Sequence, residues 1–177
     1  MASLRSKKIF LVLSIVVPFL LYCFYYYGMM VKNAPYKFAE FDSIVFKYGD
    51  GDSLLNRYNS KTGEYQFVNS RDSVVHMHLK LNNSDLLLLH RKAADLGFWD
   101  FPAHIDADSL TPGFNKAPKY YIQFNYKRKS KTVLYNAAYN DNAKLKEAAD
   151  LLVKQIKTKL AEAETFLRWL CRVIFVL

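Results

Sequence analysis

"SVVHMHLKLNNSDLLLLHRKAADLG" (residues 73–97) changes its period half-way, and that change sets the fold class. In the first half Val75, Met77, Leu79 and Leu81 alternate with Val74, His76, His78 and Lys80, the two-residue period of a strand with one apolar and one wet face. In the second half Leu86, Leu89, Ala93 and Leu96 fall on one helical stripe, widened by Leu87 and Leu88. Ser84 or Asn83 is placed to cap this helix, Asp85 suits its positive end, and Gly97 can close it. An amphipathic strand running straight into an amphipathic helix calls for a helix packed on a sheet.

Upstream the same strand chemistry recurs in short runs broken by turn residues. "FDSIVFKY" (41–48), "LLNRYN" (54–59) and "EYQFV" (64–68) are separated by "GDGDS" and "SKTG", and "NSRD" leads into the strand at 73–81, which predicts a four-strand antiparallel meander. Downstream, "FWDFP" (98–102) opens a polar stretch with Pro112 and Gly113 that reads as a long loop to about Ala117. Phe98, Trp99 and Phe101 are expected in the core, locking the helix to the sheet. "KYYIQFNYK" (119–127) and "KTVLYN" (131–136) then form a hairpin, and a last helix from near Asp141 carries Leu145, Ala149, Leu152, Ile156 and Leu160 on one stripe. The expected fold is α+β: a sheet of about five or six antiparallel strands, meander plus hairpin, with two helices on one face.

Ahead of this lies a segment of another kind. From Ile9 to Val31 there is no charged residue, and a helix of that length spans about 34 Å against a hydrocarbon core of roughly 30 Å. A cleavable signal would have a shorter apolar region ending in small residues, whereas this one ends in Tyr22, Tyr25, Tyr26 and Tyr27, rings with polar tips that suit a membrane interface. The segment is therefore read as a single-pass signal-anchor retained in the bilayer, with a soluble secreted domain as the alternative if it is processed. Arg5, Lys7 and Lys8 upstream outnumber Lys32 and Lys37 downstream, which predicts an N-terminus inside and the domain on the outer, periplasmic side. The organisation expected is a basic N-terminus (1–8), the span (9–31), a linker (32–40), the α+β domain (41–160) and an apolar helical tail (161–177). The tail, "ETFLRWLCRVIFVL" (164–177), is too short to span alone; its expected fates are to lie along the membrane, to pack on the N-terminal helix, or to self-associate.

The net charge of +9 would suit nucleic acid if it were concentrated, but five of the basic residues fall in 1–37, where there is no acidic one. Over 38–160, 18 basic residues face 14 acidic ones in mixed order, so no nucleic acid partner is expected. Cys23 and Cys171 leave the domain between them free of cysteine and so say nothing about redox compartment.

Candidate chemistry is sparse. His76 and His78 point to one strand face and could share a metal, although two ligands fall short of a site. "GDGDS" lacks the later ligands of a calcium loop, and the nucleophile-elbow, P-loop, zincin and dinucleotide motifs are all missing from the sequence. No cofactor is expected. His104, Asp106 and Asp108 in the long loop are the residues an enzyme reading, a small envelope hydrolase, would use. The tip "KRKSK" places Lys127, Arg128, Lys129 and Lys131 within five residues, a candidate patch for an anionic surface.

"LNNSDLLLLHRKAADLGFWDFP" (81–102), then "KYYIQFNYKRKSKTVLYN" (119–136) and a closing amphipathic helix, resembles small bacterial cell-envelope proteins built on a domain of unknown function, over about residues 41–160. The resemblance implies an envelope location and supplies no active site. Together with the span it leads to the expectation of a non-catalytic domain tethered to a bacterial cytoplasmic membrane, binding a protein or envelope component.

Overall fold

The computed structural model describes residues 4–32, 36–51, 53–69, 71–108 and 115–174. Pro35, the Pro112–Gly113 turn signal and the last three residues lie outside them, as do the side chains from 170 onward. The chain divides into two units, Met1–Tyr36 and Lys37–Leu177.

The first unit holds α1 (Leu4–Lys32), with Pro18 inside it. Its window Phe10–Tyr27 has a mean hydropathy of 2.0, so the helix is long and apolar enough to cross a membrane. Near its end Tyr22 and Tyr26 stack one turn apart, ring centroids 6.2 Å from each other, and Tyr25 and Tyr27 are also exposed.

The second unit is α+β. Its strands are β1 (Phe41–Asp50), β2 (Asn56–Asn59), β3 (Glu64–Val68), β4 (Val74–His78), β5 (His104–Ile105), β6 (Pro118–Tyr126) and β7 (Ser130–Asn136). They form one seven-stranded sheet in the order β4-β3-β2-β1-β6-β7-β5. The meander and the hairpin are both present, joined by the β1–β6 pairing. The expectation of five or six antiparallel strands is corrected in one respect: within the stretch read as loop, His104 and Ile105 pair in parallel with Leu134 and Tyr135, making a seventh strand and a mixed sheet. Two residues carry no readable alternation, so only tertiary pairing reveals them.

α2 (Asn83–Asp95) and α3 (Ala143–Ile174) both bury residues against this sheet. The cap of α2 is Asn82 rather than Ser84 or Asn83, its side-chain oxygen accepting from the Asp85 amide at 2.7 Å. Asn142 does the same for α3, accepting from Lys144 and Leu145 at 3.1 Å. Leu89 and Ala93 of α2, Leu152, Ile156 and Leu160 of α3, and Ile44, Phe46, Tyr58, Ile122, Phe124, Val133 and Tyr135 of the sheet make the core. Fully burying a Val, Leu, Ile or Phe side chain is worth about 1.5 to 3 kcal/mol each.

α3 crosses the strands. Asp150 accepts from the Tyr135 hydroxyl of β7 at 2.7 Å, and two turns later the Lys157 ammonium lies 4.8 Å from the Tyr120 ring of β6 and 4.5 Å from the Tyr48 ring of β1. Lys159 ties α3 to α2 through Asp85 at 3.4 Å. Past Leu160 the helix continues with Phe166 and Trp169 about 60 % exposed and stacked on each other.

One core group is poorly served. The buried Tyr58 hydroxyl makes no well-formed hydrogen bond among the described residues: burial pushes it up to about 12, and a weak hydrogen bond with the Leu81 backbone offsets only part of that. Tyr58→Phe removes a poorly satisfied polar atom and keeps the ring, so it is expected to raise stability by about 1 kcal/mol. Urea unfolding of the full-length chain in detergent measures it; a loss of that size would mean that the hydroxyl has a partner.

Candidate functional site

Within the second unit α2 and α3 pack on one face of the sheet, and the residues of the other face follow from the register. On one row His76 of β4 stands opposite Gln66 of β3, Gln66 opposite Arg57 of β2, and Arg57 opposite Lys47 of β1. The row goes on through Tyr121, Leu134 and His104. One row nearer the β1 start lie His78, Glu64, Asn59, Val45 and Gln123. Between β1 and β4 these side chains line a shallow groove of about 700 Å³.

Lys47 and Arg57 are the unusual pair. Directly opposed residues have Cβ atoms about 5 Å apart, and like charges there are destabilising. Arg57 spends its Nε on the Leu54 carbonyl at 3.1 Å, and Lys47 sits 5.2 Å from the Tyr121 ring centroid. The nearest acidic side chain on this face by register is Glu64, a row away, which accepts from the Thr62 hydroxyl at 3.1 Å. Gln66 is anchored by its amide nitrogen on the Leu55 carbonyl at 2.7 Å. The groove thus holds cations from two facing strands together with amide groups, a set suited to a carboxylate or phosphate.

Beside the groove a directed chain of hydrogen bonds stiffens the face. The Tyr121 hydroxyl donates to Gln123 at 2.7 Å, Gln123 to Asn125 at 2.8 Å, Asn125 to the Ser43 hydroxyl at 3.0 Å, and Ser43 to Asp42 at 3.2 Å. Lys61 closes the chain on Asp42 at 3.0 Å and holds that carboxyl below its usual range.

His76 and His78 do share this face. His78 rests on the β2–β3 turn: Gly63 has φ +72°, and a Cβ there would lie 2.5 Å from the imidazole Cε1. Among the described residues no three His, Cys, Asp or Glu side chains converge on a metal position. His104 and Asp106 meet at 3.7 Å at the far edge of the sheet, the histidine 70 % and the carboxylate 43 % exposed, and Asp108 is exposed as well. The basic tip is the β6–β7 turn: Lys127 and Arg128 are exposed, Arg128 pairs with Glu40, and Lys131 turns inward to donate to the Phe101 carbonyl.

A residue that the sequence did not single out is His90 of α2. It is 7 % exposed, its Nδ1 is 2.8 Å from the Tyr126 hydroxyl, and the rings of Phe38, Trp99 and Tyr126 surround it. Burial, with a smaller contribution from the Arg91 charge, pushes its pKa down. The folded protein therefore keeps His90 neutral to lower pH than the unfolded chain, which takes up a proton near pH 6.5. Stability is fully present above about pH 6.5 and is lost as pH falls from there toward the lowered folded value. Denaturation midpoints measured across this range are expected to show that loss in the native protein and not in His90→Phe.

No family model, curated protein or solved structure matches this chain.

Proposed function

We propose that this chain is a membrane-tethered, non-catalytic binding domain of the bacterial cell envelope, and that the open face between β1 and β4 takes its ligand. α1 serves as a single-pass anchor with its N-terminus in the cytoplasm and the sheet on the outer side. Its length and apolarity support this, as do its bulky tyrosine end and the basic residues of its first turns. The pattern of residues 41–160 supports the envelope location.

The observation that carries the ligand assignment is the Lys47–Arg57 pair, two like charges opposed across β1 and β2 on the face opposite α2 and α3. A partner that brings carboxylate or phosphate groups relieves that repulsion, so the ligand is a protein or envelope component with anionic groups. The test uses the full-length chain in detergent, titrated with a glutamate-rich peptide and with inorganic phosphate and followed by amide chemical shifts. Lys47→Met with Arg57→Met is expected to weaken binding at least about ten-fold, or 1.4 kcal/mol, with the unfolding midpoint unchanged or raised. Absence of binding by both probes, or equal binding by the variant, would refute the assignment.

A further inference from the structure

The β6–β7 turn and the start of β1 meet at one end of the sheet. Glu40 and Arg128 are 88 residues apart in sequence, yet Arg128 pairs with the Glu40 carboxylate and the Lys127 amide donates to the Glu40 carbonyl at 2.9 Å. Phe41 stands opposite Tyr126. Lys37 and Lys129 act on Glu40 as well, and together with Arg128 they hold its carboxyl below the usual range. Three cations, Lys37, Arg128 and Lys129, thus act on one carboxylate, and Lys127 adjoins them in the turn. The neighbouring acids are engaged: Asp42 is taken by Lys61, and Asp100 acts on Lys131.

The covalent chain adds a second constraint. Only five residues separate Lys32, where α1 ends, from Phe38, and that stretch reaches at most about 20 Å when extended. A bilayer holding α1 presents its headgroups within that reach of the cationic end. The opposite end of β1 lies a further ten residues along, about 30 Å away.

We propose that the β6–β7 turn, with Lys37, docks on the anionic lipid headgroups of the membrane that holds α1, so that the sheet stands on the bilayer by this end. This rests on the tether reading. Charges of this kind attract an anionic leaflet only within a Debye length, about 8 Å at physiological salt, so docking requires both the anionic lipid and the short linker.

The experiment places the full-length chain, with Cys23→Ala and Cys171→Ala, in nanodiscs carrying a headgroup-bound energy-transfer acceptor. A single donor dye is attached through Ser130→Cys at the turn, or through Ser73→Cys beside the β3–β4 turn at the other end of the strands. Discs of phosphatidylcholine alone are compared with discs that hold about one third phosphatidylglycerol. Transfer from position 130 is expected to rise at least about two-fold in the anionic discs, with no rise from position 73, and the rise should vanish in about 0.5 M salt and in Lys127→Glu with Lys129→Glu. Equal transfer from position 130 in both lipids, or greater transfer from position 73, would overturn docking while leaving the anchor standing. A chain that fails to enter the discs would remove the anchor and docking with it.

Discussion

Phe98→Ala is expected to destabilise the sheet domain by about 3 to 5 kcal/mol, the range for emptying an aromatic site in a core that relaxes only in part. Phe98 is 0 % exposed, and its ring meets Phe124 at 5.2 Å, Trp99 at 5.4 Å and Phe101 at 5.6 Å between centroids. It sits in the short 3-10 turn that follows Gly97, whose φ of +73° ends α2 and swings the chain back over the sheet. Removing the ring thus opens a cavity where α2, the turn and β6 meet. Leu88→Ala on the exposed side of α2 is the control, with an expected change within about 0.5 kcal/mol. Urea midpoints of the full-length chain in detergent measure both; a loss below about 1.5 kcal/mol for Phe98→Ala would mean that this turn is not part of the cooperative core.

The second large effect concerns α1. Val17→Arg with Leu20→Arg places two charges near the middle of Phe10–Tyr27, where each costs about 2.5 to 3.5 kcal/mol on insertion scales. The pair should shift the partition against membrane by about four to five orders of magnitude and move the protein from the carbonate-washed pellet to the supernatant. The wild-type chain is expected to stay in the pellet at its full mass. A double-arginine variant that still sediments would show that something other than α1 retains it, and the exposed Phe166 and Trp169 of α3 name the next segment to change.

Much of the architecture was legible because it is written in local period and turn chemistry. The alternation at 74–81, the leucine stripe of α2 and the aromatic run of β6 each specify an element and its inward face without reference to any other. Where an assignment slipped, a non-local pairing was responsible. Reading "GDGDS" as the whole turn sets Lys47 opposite Leu55; the loop runs two residues longer, Lys47 faces Arg57, and the two cations become neighbours. His90 reads as one more polar residue on an exposed helix, because only Phe38, Trp99 and Tyr126, brought from three other elements, bury it. "KRKSK" was visible as charge, but nothing in its neighbourhood tells that Glu40 and Lys37 lie beside it.

The sequence by itself determined the division into an apolar N-terminal helix and an α+β unit, the order of nearly all the elements, and the side of each that turns to the core. It could do so because backbone propensity and the period of apolar residues act within a few positions. Only the tertiary structure decided that β5 completes the sheet, that Lys47 and Arg57 oppose each other on the open face, and that the basic turn gathers beside the start of β1. Those are contacts between residues far apart in the chain, set by strand register and by helices that can cover only one side of the sheet, and no local pattern encodes them.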